Sequence, residues 1–375
     1  MVNSLTQFLE SKTLYYDKID YDVIAKSWQI LKEHIELPFV IHVIGTNGKG
    51  STGRFIASII HQNNKSLVHY SSPHIVEFNE RIWINGSNST DEELNFAHLK
   101  LQERLPENLI EQLTYFEYTT LVAILLSSEM DYIVLEAGLG GEFDATNVVP
   151  NNLTVVTTID LDHQDFLGNT IEEIASTKMR SCDESYILSH QINDEVYTIQ
   201  QEILKDKKEV KLKSYAPTKI SKKLPLYLQE NLNTALSVIQ YLNLSIENFI
   251  LPELFGRFQK VANNITIDVG HNPLAAKVIY EQLIAENKKI ILIYNSYKDK
   301  DYEKVLEILS PVIKEIQIIE CDDKRIVEKN VLISKINNLC LNINSFDIMK
   351  LNIDDDYLVF GSFIVIESFL KEYKN

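Results

Sequence analysis

The chain has 375 residues, enough for two domains or one large one with a substantial core. Its formal net charge of −17 excludes a broadly basic surface, so neither nucleic acid nor an anionic membrane is expected as a partner. Any anionic substrate therefore needs a locally basic site, within a composition whose 45% hydrophobic content is ordinary for a soluble globular protein.

The first residues, Met1-Val2-Asn3-Ser4, lack a basic segment followed by an apolar core, so no secretion signal is expected. No apolar run approaches the ~20 residues needed to span a bilayer. From there on, apolar runs of strand length alternate with helical patterns, which reads as α/β. Strands are expected near Phe39–Ile44, Ser66–Tyr70, Tyr132–Leu135, Leu153–Thr158 and Ser185–Leu188, with helices near Gly53–Gln62, Tyr115–Ser127 and Thr170–Met179. From Asp194 to Lys223 the chain is lysine-rich and polar, with weaker patterning. A second alternating unit begins around Phe255. Its strands are expected near Ile265–Asp268, Lys289–Tyr294, Glu315–Ile319 and Tyr357–Phe360, and its helices near Leu274–Glu286, Tyr302–Leu309, Val327–Asn337 and Phe363–Glu372. The expected organisation is an N-terminal P-loop-type ATPase domain with a mostly parallel sheet over 1–248. A smaller C-terminal Rossmann-like α/β domain follows over 249–375. Cys182, Cys321 and Cys340 lie far apart and make no metal-type pair, which suits a reduced compartment. A cytoplasmic location is expected.

The most informative segment runs from Phe39 to Thr52. An apolar strand leads into Gly45-Thr46-Asn47-Gly48-Lys49-Gly50-Ser51-Thr52, and a helical stretch follows. Backbone N–H groups and a helix N-terminus would face an anion there, Lys49 would neutralise terminal phosphates, and a hydroxyl would hold Mg²⁺. These eight residues are the candidate ATP site. The spacing departs from G-x₄-G-K-[ST]: two residues separate the glycines, and Gly50 intervenes between Lys49 and Ser51.

This spacing resembles the loop of the Mur ligase superfamily, and within it the folylpolyglutamate and dihydrofolate synthases. Further segments carry the resemblance through most of the chain. They are Ser71-Ser72-Pro73-His74 with Phe78-Asn79-Glu80-Arg81; Tyr115-Phe116-Glu117 with Thr120; Glu136-Ala137-Gly138-Leu139-Gly140-Gly141 with Asp144-Ala145-Thr146-Asn147; Leu161-Asp162-His163 with Leu167-Gly168-Asn169-Thr170-Ile171; Gly256-Arg257-Phe258; Asp268-Val269-Gly270-His271-Asn272-Pro273; Lys298-Asp299-Lys300-Asp301; and Gly361-Ser362.

Some roles have a physical basis of their own. Glu136 ends an apolar strand, at the carboxyl edge where open α/β sheets bind ligands, and a carboxylate near a triphosphate suits Mg²⁺. Asp268 ends a later strand and would reach the nucleotide ribose. Arg257 would reach the phosphates. Asn272 could simply cap the next helix. Other roles are implied by the resemblance. His163, read as ending the strand after Glu136, would bind a second Mg²⁺, with Ser51 and Ser72 completing the metal shells. Lys178 matches a lysine that becomes carbamylated. Asn231 would contact the adenine side and His271 the nucleotide. Ser72, Pro73, His74, Arg81, Asp144 and Ser296 would meet the substrates. Two departures stand out: Glu142 occupies a position that is basic in the family, and the residues around Lys178 differ.

The resulting expectation is an ATP-dependent amide ligase. Phosphorylating a carboxylate yields an acyl phosphate, which the α-amine of L-glutamate attacks. Lys49, His163 and Lys178 serve that chemistry, and domain closure would exclude water. The acceptor would be dihydropteroate, a reduced folate (poly)glutamate, or both. ATP and two Mg²⁺ are implied, with room for a monovalent cation such as K⁺, in a monomer. The alternatives are a Mur-type ligase acting on another carboxylate, a nucleotide-binding protein without ligase activity, and a P-loop kinase. The 44 residues before Gly45 argue against the extra N-terminal domain usual in cell-wall ligases.

Overall fold

The structure is a computed structural model, and it describes residues 4–12, 20–215, 224–336 and 341–374. It divides into two compact units. One holds the described residues up to 215 together with Leu228–Pro252; the other holds residues 224–227 and those from Glu253 onward.

The first unit is built on an eight-stranded sheet. In chain order its strands are β1 (Phe39–Ile44), β2 (Leu67–Tyr70), β3 (Ile82–Ile84), β4 (Ser87–Asn88), β5 (Tyr132–Glu136), β6 (Leu153–Val156), β7 (Ser185–Leu188) and β8 (Lys208–Glu209). They lie in the order β4-β3-β2-β5-β1-β6-β7-β8. From β2 to β8 every pairing is parallel; β3 and β4 add an antiparallel edge. The central strands are near-continuous apolar runs because helices cover both faces. On one face Trp28, Leu31, Tyr118, Leu121 and Val122 pack over Ile133 and Leu135. On the other, Ile174, Ala175, Met179 and Val196 cover Ile44 and Val156.

The expected bounds of β1 and β7 coincide with those observed, and β5 runs one residue further, to Glu136. The strand expected over Leu153–Thr158 stops at Val156. Beyond it, the Thr158 carbonyl accepts the N–H groups of Thr46 and Asn47 at 2.9 and 3.2 Å, so the chain pairs with the phosphate loop instead of a strand. Several helices lack a counterpart in the sequence reading. Asp91–Arg104 opens with a reciprocal capping box between Thr90 and Glu93, a local signal that was there to be read. Leu226–Tyr241 buries Leu228, Leu232, Ala235, Leu236 and Ile239. The polar stretch from Asp194 contains the helix Glu195–Ile203; residues 216–223 lie outside the described residues.

The second unit has a six-stranded sheet: β9 (Gln259–Ala262), β10 (Ile265–Asp268), β11 (Ile290–Tyr294), β12 (Ile313–Ile318), β13 (Asn342–Ser345) and β14 (Tyr357–Phe360). The order is β13-β12-β11-β14-β10-β9, and only β9 pairs antiparallel. Leu292, Tyr294, Ile316, Leu358 and Phe360 form its core with Val305 and Leu309 of the helix Tyr302–Leu309. The helix expected near Val327–Asn337 spans Lys329–Ile336; Asn337 and Cys340 lie outside the described residues. No helix among the described residues is long and apolar enough to cross a membrane.

Candidate active site

The phosphate loop follows β1 and enters the helix Lys49–Gln62. Gly45 has φ +139°, and a Cβ there would stand 2.0 Å from Thr157 Oγ1. That hydroxyl donates to the Ile44 carbonyl at 2.9 Å, so β6 and the loop are stitched side by side. An alanine at position 45 is therefore expected to cost about 1–3 kcal/mol, read as a lower urea midpoint, and to weaken nucleotide binding. Gly48 has φ +88°, and a Cβ on it would stand 2.7 Å from Asn231 Oδ1. Asn231, on the helix Leu226–Tyr241, therefore lies directly against the loop. The Thr46 hydroxyl donates to the Asp160 carbonyl at 2.9 Å, and the Asp160 N–H returns a bond to it at 3.1 Å. Within the helix the first backbone bond is Thr52 N–H to the Gly48 carbonyl, so the preceding N–H groups point out of the N-terminus, as an anion site requires. Ser51 is buried, and Thr52 Oγ1 is buried without a hydrogen bond.

Lys49 Nζ donates to the carbonyls of Gly45 (3.0 Å) and Thr46 (3.1 Å). Lys178 Nζ donates to the same Gly45 oxygen at 3.0 Å. Lys178 sits on the last turn of the helix Ile171–Met179 and is only 4% exposed. Burial, reinforced by the Lys49 charge, pulls its pKa down to about 7, against the opposing pull of Asp162 and Asp144. The loop after Glu136 packs on this helix: a Cβ on Gly141 would stand 2.5 Å from the Lys178 carbonyl, and Glu142 N–H donates to the Thr177 carbonyl at 2.8 Å. The Glu142 carboxylate pairs with Arg180 at 3.3 Å, so the acid at this departure from the family pattern is partly compensated by a neighbouring cation.

Asp144 is buried and accepts from Leu139 N (2.7 Å), Thr146 N (2.9 Å) and Thr146 Oγ1 (2.5 Å), while burial pushes its pKa up. Thr146 Oγ1 also lies 2.8 Å from His42 Nε2. The hydroxyl has one proton and gives it to Asp144, so His42 donates from Nε2 and its Nδ1 is bare. Burial holds His42 neutral, with a pKa of about 4. His42 escaped the sequence reading because it looks like one more strand residue; only β1 lying over the loop after β5 joins it to Asp144.

Glu136 closes β5, is 5% exposed, and accepts from Ser72 N–H at 3.4 Å. His163 does not end a strand, contrary to expectation. It stands seven residues beyond β6 with φ +51°, just before the short helix Gln164–Leu167, its side chain 40% exposed and 4.0 Å from Asp162. Pairing of Thr158 with the phosphate loop is what carries it there. After Ser72 and Pro73, His74 Nδ1 accepts from Arg81 Nε at 2.8 Å. Burial, with the Arg81 charge, brings the His74 pKa to about 4. Arg81 itself lies 5.2 Å from the Tyr115 ring centre, and Phe116 abuts Gly138. No group of three or more His, Cys, Asp or Glu side chains is assembled as a metal cluster among the described residues. The candidate donors Ser51, Ser72, Glu136 and His163 are hydroxyl, carboxylate and imidazole groups. Such sets suit a hard cation that also takes phosphate oxygens and water.

In the second unit, Asp268 ends β10 and accepts from Gly270 N (2.7 Å), Phe258 N (2.8 Å) and Tyr227 OH (3.1 Å). It thereby ties down the 256–258 turn that carries Arg257, whose guanidinium stands 5.3 Å from the Phe363 ring centre. His271 Nδ1 lies 3.1 Å from the Val269 carbonyl. Asn272 caps the helix Pro273–Ala285 by accepting from Ala275 N–H at 2.9 Å. Ser296, two residues past β11, is fully buried.

The chain as a whole resembles known proteins. Residues 43–265 match the model of the Mur ligase middle domain. The chain is 33% identical to the dihydrofolate synthase/folylpolyglutamate synthase of Haemophilus influenzae, over 89% of this chain and 88% of that protein. The crystal structure of Helicobacter pylori folylpolyglutamate synthetase is 37% identical and superposes with a TM-score of 0.79, covering 99% of this chain and 98% of that one. Escherichia coli FolC in complex with DHPP and ADP is 27% identical, with a TM-score of 0.84 over 98% and 96% of the two chains.

Proposed function

This chain belongs to the dihydrofolate synthase/folylpolyglutamate synthase family of Mur-type ligases, and from that premise we propose that it adds L-glutamate to both dihydropteroate and reduced folate (poly)glutamates. It is an ATP-dependent acid–amino-acid ligase. The observation that supports the phosphoryl-transfer part of this reading is the convergence of Lys49 and Lys178 on the Gly45 carbonyl, at the mouth of a helix N-terminus beside Glu136's strand.

A carboxylate does not exchange oxide for an amine in water. An acceptor carboxylate oxygen attacks the γ-phosphorus of ATP, and ADP leaves. The glutamate α-amine then attacks the acyl carbon, the phosphate departs, and the amine proton is lost. Lys49 leaves its loop carbonyls to neutralise the transferring phosphoryl group, while the helix N–H groups hold its oxygens. Ser51, Ser72, Glu136 and His163 would hold two divalent cations, which supply charge neutralisation and in-line alignment. Burial holds Lys178 near neutrality, and a neutral amine can take up CO₂ with loss of a proton; the resulting carbamate would be a further oxygen donor. Asn231 is assigned to the adenine side, Arg257, Asp268 and His271 to other nucleotide contacts, and His74, Arg81, Asp144 and Ser296 to the substrates.

The test is ATP-dependent incorporation of labelled glutamate into dihydropteroate and into tetrahydrofolate. Incorporation into both supports the bifunctional reading. Incorporation into one alone reduces it to a monofunctional ligase, and incorporation into neither refutes it.

A further inference from the structure

Arg54 plays no part in the site described so far. It lies on the helix Lys49–Gln62, five residues past Lys49, and is half-buried. Its guanidinium stacks on the Trp83 ring, 4.8 Å from the ring centre. Trp83 on β3 pairs with His69 on β2, and Gly53 lies against His69, so this turn of the helix rests on the β2–β3 ribbon. Strand β2 runs beside β5 with Tyr70 opposite Leu135, one residue short of Glu136. The side chain therefore stands at the carboxyl edge of the sheet, where the charges of Glu136 and Glu80 act on it.

The Glu80 carboxylate is already committed. It accepts the N–H groups of Ile75, Val76 and Glu77 at 2.7, 2.9 and 2.9 Å and so shapes the loop that carries Ser72 and His74. Arg54 makes no hydrogen bond among the described residues. Five N–H donors in a planar fork, steadied by an indole face and left without an acceptor, form a ready receptor for a planar anion.

We propose that Arg54 binds the carboxylate of the acyl acceptor and presents it to the γ-phosphate, an inference that rests on the ligase reading above. A carboxylate and a triphosphate repel each other, so their approach needs a cation on the acceptor's side as well as Lys49 on the phosphate's. Position favours the carboxylate over a phosphate. Arg54 sits beyond the N–H groups of the helix's first turn and faces the β2–β3 edge. The 72–81 loop and the rings of Phe78 and Tyr115 lie on that side, while Lys178 approaches the phosphate loop from the β6 side.

The experiment compares the full-length protein with its Arg54→Lys and Arg54→Met variants, measuring KM for dihydropteroate, KM for ATP, and ADP affinity by titration calorimetry. Loss of a charge-assisted bidentate contact is expected to raise the dihydropteroate KM at least about tenfold in both variants, with ADP affinity within about twofold of wild type. Arg54→Lys keeps the charge and most of the packing, so it reads the contact even if Arg54→Met does not fold. An unchanged acceptor KM in an active Arg54→Lys variant overturns the assignment, as does an equal loss of ADP affinity. Absence of turnover in the wild type would refute the ligase reading itself, and the assignment with it.

Discussion

Replacing Lys49 with alanine is expected to lower kcat for glutamate addition by about 10²–10³-fold while leaving the protein folded. Lys49 is half-buried and donates to the loop carbonyls of Gly45 and Thr46 at 3.0 and 3.1 Å; its removal leaves the Gly45 oxygen to Lys178 and the Thr46 oxygen open to water, and opens no core cavity. The transferring phosphoryl group would lose the cation that the loop itself supplies. Single-turnover formation of labelled ADP, with far-ultraviolet circular dichroism as the control for folding, checks this. Wild-type-like kcat in a folded variant would show that the phosphates do not sit in this loop.

The second large effect is at Lys178. Its pKa falls from an unfolded value near ~10.4 to about 7 in the folded chain. Below about pH 7 both states carry the proton, and the full cost of burying the cation weighs on the fold. Between there and about pH 10 the unfolded chain holds a proton that the folded chain has released. Stability therefore rises with pH in this window, by at most about 1.4 kcal/mol per pH unit from this group. Lys178→Met removes that component. Urea midpoints of wild type and variant, measured without bicarbonate, are expected to converge or cross as pH rises from 7 to 9.5; parallel curves would show that Lys178 is not held neutral. The same variant is expected to lose activity by about 10–100-fold, as when a supporting metal-site group is removed. In wild type, ¹³C-bicarbonate is expected to give a carbamate carbon resonance that is absent from Lys178→Met.

Local signals were legible because they repeat or follow a fixed spacing. Phe39–Ile44 reads as a buried parallel strand because each residue is apolar or tolerates burial between two helical layers. Gly45 and Gly48 read as a loop because only glycine adopts φ of +139° and +88° without strain. The resemblance to the ligase family came from the order of such short segments, and comparison with known proteins supports it across most of the chain.

What escaped the sequence depends on which strands become neighbours. His42 and Asp144 are about a hundred residues apart, and only the β1–β5 pairing sets Thr146 between them. His163 is expected at a strand end, but the strand stops at Val156, the phosphate loop captures Thr158, and the chain continues into a turn. Glu142 read as an unexplained acid until the helix end brought Arg180 to it. The sequence by itself determined the phosphate loop and the alternating α/β pattern, because backbone conformation and burial period are written in neighbouring residues; the ligase chemistry came through the family resemblance. Only the tertiary structure decided that Lys178 shares Lys49's carbonyl and that Arg54 lies stacked at the sheet edge. The first contact arises from parallel crossovers and the second from the antiparallel β2–β3 edge, and no local pattern encodes either register.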